Sequence, residues 1–484
     1  MITPPHRGFH FSFFPLIFVA LMLPAFSHAA EQTGFVKSGN TPIASAKVTL
    51  YQAGTTRQGG ATALGSTTAE GNGFFQISFT PPSTDNVILY LIADGPRIEG
   101  NHGKGSSRRN PVRLATVLGG PPFPFKVVIN ELTTVASAYS LAQFFFRSNL
   151  KGTSPGLSNA AMMVRNFVDL DIGEISAVLH DSANRDTSTL KTFNSLANMV
   201  AACVNELDVC PTFLDLATTP RGQTPRNTLE ALVNIVHNPW QNVLKLFGLS
   251  FISSVYEPAL EPSSPPDAWT LALRFIGVPN TMSGPGNIAF DAAGNAWVTN
   301  NFDFINVSKP SDLTKVCGSN LLLTFKPNGE PLFDPPLQGG GLSGTGFGIT
   351  LDLEGNIWAG NFGFKGALCD QEVPDNSLSK FSPEGIPLSP AEGFTNGPIS
   401  QPQGTVSDQK GNIWIANCGT NTIVKYPGGN AQTPKIFGPF GPGGRDLVAP
   451  FDIAFNHRRW AFITGNQSNT VVVLKPDGTP IRQS

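Results

Sequence analysis

The chain is short of charge. Of 484 residues only 14% are charged, with 32 Lys and Arg against 34 Asp and Glu and a formal net charge of −2. Neither sign dominates, so there is no electrostatic case for nucleic acid or an anionic membrane as partner. Histidine is also scarce, at seven residues. His102, His180 and His237 fall in three unrelated segments without ligand spacing, which argues against a metal site. No Ser-His-Asp grouping, Gly-x-Ser-x-Gly elbow or phosphate loop in a strand-to-helix setting is present. No catalytic residue, metal or cofactor is therefore expected. Beyond the N-terminus no apolar run is long enough to span a membrane, so stable insertion is not expected either.

The N-terminus is the exception. Arg7, an apolar core from Phe11 to Leu23 broken by Pro24, and Ser27-His28-Ala29 as a small-x-small site mark residues 1–29 as a cleaved export signal. An uncleaved anchor is the alternative, but this core is shorter than the ~18 residues of a spanning helix. The mature chain is expected to start near Ala30 and to be secreted or periplasmic. The first cysteine is Cys203, so no lipid-anchored cysteine follows the cleavage site.

Glycine and proline are abundant, at 50 and 41 residues, and the glycines help to reveal a repeat. Asp291-Ala-Ala-Gly294-Asn295-Ala-Trp297 returns as Asp352-Leu-Glu-Gly355-Asn356-Ile-Trp358 and as Asp408-Gln-Lys-Gly411-Asn412-Ile-Trp414. A degraded fourth copy has Asn456 in the Asp place and Phe462 in the Trp place. Each phrase lies between apolar runs and reads as a hairpin, with Asp accepting from turn amides and Gly and Asn tolerating positive φ. Third strands follow at Leu321–Phe325, Leu378–Phe381, Ile423–Tyr426 and Val471–Leu474. The copies lie roughly 50 to 60 residues apart, near the ~40–50 of a four-stranded propeller blade. Asp291, Asp352 and Asp408 could bind calcium, but identical turn positions point to hairpin stabilisation.

Over about residues 270–484 this pattern resembles the bacterial NHL and streptogramin-lyase-like (virginiamycin B lyase family) propeller repeats. The resemblance implies either a binding scaffold or a carbon–oxygen lyase working through His and Glu with a divalent metal. Where lyase repeats tend to read Trp-x-Thr-Glu, this chain has Trp-Val-Thr-Asn, Trp-Ala-Gly-Asn and Trp-Ile-Ala-Asn, and its one propeller histidine, His457, sits in the degraded turn. No residue carries over as catalytic. Asn300, Asn361, Asn417 and Asn466 recur at matching strand ends and are candidate ligand-binding amides on one rim. The alternative is that they cap those ends.

Upstream, residues 30–95 alternate with period two and read as a small β-sandwich. Pro42-Ile43-x-x-Ala46-x-Val48-x-Leu50 followed by Gly71-x-Gly73-x-Phe75 resembles the carboxypeptidase-regulatory-like modules, which implies a spacer or adhesion role. Residues 96–125 read as a loop. Helical periodicity over 126–255 predicts an α-helical domain, and 256–268 a Pro-rich linker. The expected fold is thus multi-domain and mainly β: sandwich, helical domain, then an NHL-like β-propeller over 269–484 with four visible blades.

Five cysteines in an exported chain permit two disulfides. Cys203 with Cys210 needs a helix ending near Asn205, and Cys317 with Cys369 would tie the insertions of adjacent blades, leaving Cys418. Four copies alone leave bare ends; Leu271–Ile276 matches a fourth-strand position and could close the ring by exchange, but an incomplete ring is expected, either a truncated reading frame or an arc closed by a partner chain or by self-association. The functional expectation is an exported, non-catalytic protein whose propeller binds a protein or glycan. The alternative is a lyase-like enzyme whose acid and base are absent from this chain.

Overall fold

The computed structural model describes residues 29–481 apart from 83–86, 97, 100–106, 109, 148, 181–184 and 305–311. All but the last residue of the expected export signal, and His102, lie outside the described residues. The protein is mainly β, and among the described residues no helix is long and apolar enough to cross a membrane.

Two sheets open the chain. In one, Ala30–Ser38 pairs antiparallel with Phe74–Phe79 and parallel with Lys126–Ile129. The other runs Thr62–Thr68, Lys47–Gln52, Leu89–Asp94, Arg113–Gly119, all antiparallel. The last strand corrects the expectation of a loop over 96–125. Arg113–Gly119 is buried almost throughout, so its sequence lacks the alternation that marks a half-exposed strand.

Among the described residues six α-helices follow: α1 (Glu131–Leu141), α2 (Gly156–Met162), α3 (Ser188–Asn205), α4 (Cys210–Leu216), α5 (Thr228–His237) and α6 (Val243–Leu249). They are not a separate helical domain over 126–255, because sheets and helices share one hydrophobic core that runs from Val36 to Trp269. The seam is polar. The free edge of Arg113–Gly119 donates from Arg113 N to Thr228 Oγ1 (2.9 Å), from Ala115 N to Thr134 Oγ1 (3.0 Å) and from Val117 N to Ser137 Oγ (3.2 Å). Hydroxyls on α1 and α5 thus stand in for a missing strand and cover an edge that would otherwise invite pairing. Nor is 256–268 a free linker. Tyr256 donates to the buried carboxylate of Glu131, Leu260 N donates to Ser195 Oγ, and Trp269, fully buried, receives the Tyr139 hydroxyl on its carbonyl at 2.9 Å.

Four antiparallel sheets then succeed one another. Blade 1 is Pro285–Phe290, Ala296–Asn300 and Leu322–Phe325. Blade 2 is Thr345–Leu351, Ile357–Asn361 and Ser377–Phe381. Blade 3 is Pro402–Ser407, Ile413–Asn417, Thr422–Tyr426 and Lys435–Phe437, and blade 4 is Pro450–Phe455, Ala461–Gly465 and Thr470–Leu474. Each first strand lies beside the first strand of the next blade, so the sheets fan about a common axis in a propeller-like arc. The outer places of blades 1, 2 and 4 hold only isolated bridges, such as Leu322 with Leu337 and Leu474 with Pro480. Leu271–Ile276, which could have supplied a closing strand, is not a strand.

One device recurs in blades 1 to 3. Asp352 accepts from Glu354 N (3.1 Å), Asn356 N (2.9 Å), Asn356 Nδ2 (3.1 Å) and Trp358 Nε1 (3.0 Å). Asp408 accepts from Lys410 N, Asn412 N, Asn412 Nδ2 and Trp414 Nε1, and Asp291 from Ala293 N, Asn295 N, Asn295 Nδ2 and Trp297 Nε1. Gly294, Gly355 and Gly411 hold φ of +89, +82 and +72°, which side chains resist. The clamp fixes each indole against the following blade: Trp358 lies 6.2 Å from Tyr426 and Trp414 5.7 Å from Phe455, ring to ring. Lys380 completes the second clamp, 2.9 Å from Asp352 and 4.8 Å over the Trp358 ring. In the fourth copy Asn456 Oδ1 keeps only the turn amides of Arg458 and Trp460.

Burial pushes these three carboxyls up, but the hydrogen bonds from Asn and Trp outweigh it and hold all three below the usual aspartate range. A carboxyl lowered on folding stabilises fully above its unfolded value of about 3.9, and loses that contribution as pH falls through the folded value. The arc is therefore expected to lose stability below about pH 4. Asp352→Asn and Asp408→Asn should each lower stability at pH 7 by about 1–3 kcal/mol and flatten the acid limb, as read from denaturant titrations across pH. A second expected outcome concerns the seam: Thr134→Val should cost about 1–3 kcal/mol by orphaning the Ala115 amide, measured the same way.

Candidate functional site

The second strands of the blades end on one rim, and the recurrent asparagines lie there below the surface. Asn300, Asn361 and Asn417 are fully buried. Asn300 Oδ1 accepts from Ser283 N (3.1 Å) and Gly284 N (2.9 Å), while Nδ2 donates to Thr281 O, Asp303 Oδ1 and Ser319 Oγ. Asn361 Oδ1 accepts from Ser343 N, and Nδ2 donates to Ser377 Oγ and Ser379 Oγ. Asn417 bonds Ser400 N, Pro398 O, Thr420 Oγ1 and Thr422 Oγ1. These amides tie the chain entering each blade to its second and third strands. This corrects their reading as ligand contacts, since both polar atoms of each are already engaged. Asn466 is exposed, and its backbone donates to Ala449 O.

Asparagines that cannot reach a ligand do support residues that can. Asp303, held by Asn300, and Ser343, held by Asn361, both line a groove of about 780 Å³ between blades 1 and 2. Asn320, Gln371, Glu372, Asn376, Glu392 and Thr395 add further polar groups to its lining. The walls come from insertions: Phe302–Phe304 pairs with Val316–Gly318, and Cys317 is bonded to Cys369 of the next blade. Three carboxylates line the groove and, among the described residues, no Lys or Arg does, although Lys365 Nζ lies 3.9 Å from Glu372, so it disfavours an anion and suits hydroxyl or amine donors.

Aromatic rings line the same rim. Phe302 contacts Phe304 (5.3 Å between centroids) and Phe364 (5.8 Å). Phe364 contacts Phe347 (6.1 Å), which reaches Phe451 of blade 4 at 5.6 Å. All five are partly or well exposed, and Phe304 among them lines the groove with the carboxylates.

The other candidates lie apart. Cys203 is bonded to Cys210 where α3 ends, inside the N-terminal core. Cys418 is a half-buried thiol whose pKa burial pushes up. Asp291, Asp352 and Asp408 point both oxygens at N–H donors, an arrangement that would repel calcium. His457 is exposed in the blade 4 turn, His180 lies 3.7 Å from Asp186, and His237 Nε2 lies 3.2 Å from Ala142 O. Among the described residues no group of three or more His, Cys, Asp or Glu can hold a metal ion.

No protein-family model matches the chain, and no curated protein matches it. Solved structures show similarity to part of the chain. Virginiamycin B lyase from Staphylococcus aureus, in a catalytically inactive form with quinupristin, is 16% identical with a TM-score of 0.31. That match covers 43% of this chain and 58% of the lyase. An auxiliary nutrient binding protein from Bacteroides ovatus is 14% identical with a TM-score of 0.29, covering 42% of this chain and 47% of that one. A nidogen/laminin complex chain is 15% identical with a TM-score of 0.29, covering 42% and 65%. The chain thus spans less than two thirds of each.

Asn361→Ala is expected to lower stability by about 1–3 kcal/mol, because Ser343 N, Ser377 and Ser379 lose a buried partner. Chemical unfolding monitored by tryptophan fluorescence checks this.

Proposed function

We propose that this chain is an exported binding protein whose NHL-like propeller arc takes a neutral glycan in the rim groove between blades 1 and 2. The observation that carries this reading is the pairing of chemistries there. Carboxylates and amides of Asp303, Glu372, Glu392, Asn320 and Asn376 line the groove together with Phe304, whose ring contacts Phe302 in the chain of phenylalanines along the rim. Sugars present hydroxyls at their edges and C–H faces above and below, so acceptors beside aromatic rings serve both. A groove lined by three carboxylates gives no such welcome to a phosphate or sulfate. The sandwich resembling the carboxypeptidase-regulatory-like modules, fused through one core to the helices, would act as the rigid stem. Two disulfides favour an oxidising compartment, as export would require. No observation favours the lyase alternative, because no histidine or metal-ligand cluster faces the rim among the described residues.

A glycan array probed with residues 30–484 tests the reading. Binding to neutral glycans that is lost in Asp303→Ala and Glu392→Ala, with unfolding midpoints unchanged, is the expected result. Binding that survives both substitutions, or inertness towards every neutral glycan, would refute it.

A further inference from the structure

In the N-terminal body a polar cavity of about 320 Å³ opens where the end of strand Ala30–Ser38, helices α1 and α3, the hairpin of Val168–Asp169 with Glu174–Ile175, and the segment at Tyr256 meet. Asn194 reaches its lining from α3 and is only 1% exposed. Its Nδ2 donates to Pro258 O (2.9 Å), whereas Oδ1 is buried and receives no donor among the described residues. A second acceptor in the same state lies behind the wall. Tyr256 and Gly39, which both line the cavity, donate to Glu131 Oε2, while the buried Glu131 Oε1 receives nothing. Such oxygens lose their hydration on folding and gain no hydrogen bond in return.

The charge of the lining is one-sided as well. Glu174 and Glu257 bring carboxylates to it, and among the described residues Lys37 is its one cation. Lys37 Nζ lies 5.3 Å over the Phe35 ring, and Glu174 has no ion pair or hydrogen bond among the described residues. The backbone that carries Glu174 is held against the cavity. Gly173, at φ +72°, approaches so closely that an added Cβ would lie 2.6 Å from Val128 Cγ1, and its carbonyl accepts from Asn130 Nδ2 at 2.8 Å.

Buried acceptors without donors, beside carboxylates that outnumber cations, call for a partner that is positively charged and only donates. A primary ammonium is both, with three N–H groups, no acceptor and a full charge at pH 7. A metal ion fits less well, because no group of three His, Cys, Asp or Glu gathers here among the described residues. The volume lies at the small end of ligand pockets, which suits a compact molecule. We propose that this cavity binds the protonated amine of a small molecule, with Asn194 Oδ1 as its buried acceptor and Glu174 and Glu257 as counter-charges. The site is separate from the rim groove and does not depend on what that groove takes.

Isothermal titration calorimetry of residues 30–484 with methylammonium, ethanolamine and putrescine tests this, with tetramethylammonium as a cation that has no N–H and potassium chloride as a bare-ion control. The expected result is saturable binding of at least one of the three amines and of neither control. Asn194→Leu should weaken that binding by more than about tenfold and Glu174→Gln by about threefold. Glu174 is exposed, so its variant keeps the test decisive should Asn194→Leu, which also removes the donor to Pro258 O, fail to fold. Absence of saturable binding by all three amines would overturn the proposal and leave water as the occupant. An equal response to either control, or an affinity unchanged in Glu174→Gln, would overturn it too.

Discussion

The C-terminal half of this protein depends on one hydrogen bond made three times, from an indole N–H to the aspartate that opens the hairpin before it. The carboxylate organises the turn through two backbone amides and an asparagine, and its remaining lone pairs fix the tryptophan that forms the joint with the next blade. Turn geometry and inter-blade packing are thereby a single constraint. A blade cannot lose its turn without loosening its neighbour, and the hydrogen bonds that the indole and the asparagine donate in turn keep the aspartate ionised and ordered. Where the aspartate has become Asn456 the tryptophan has gone too, and Phe462 in its place lies partly open to solvent.

This much could be read from the residues, because Asp, Gly, Asn and Trp recur at fixed offsets and each offset has a local cause. The fold upstream was harder to read, for reasons that are equally physical. Arg113–Gly119 hides as a strand because it is covered on both sides and shows no alternation. Thr133, Thr134 and Ser137 look like the polar stripe of an exposed helix, yet they are fully buried and satisfy a sheet edge and the turn of helix α1. Only the three-dimensional arrangement reveals that sandwich and helices share one core.

The rim shows the same limit. Repetition made Asn300, Asn361 and Asn417 conspicuous, but a residue repeated in three successive blades serves what those blades share, here the stapling of incoming chain to strand. The groove is built instead from Asp303, Asn320, Glu372, Asn376 and Glu392. These lie in or beside non-repeating insertions and loops far apart in sequence, so no periodicity could gather them. What links the two sets is support from below, since Asn300 holds Asp303 and Asn361 holds the segment carrying Ser343.

Hydrogen exchange of the tryptophan indole protons, followed by NMR, tests the clamp most directly. The account predicts that the Nε1 protons of Trp297, Trp358 and Trp414 exchange only on unfolding of the arc and at closely similar rates, while that of Trp240, 66% exposed, exchanges freely. Clamped indoles that exchange as fast as Trp240 in the folded protein would contradict it.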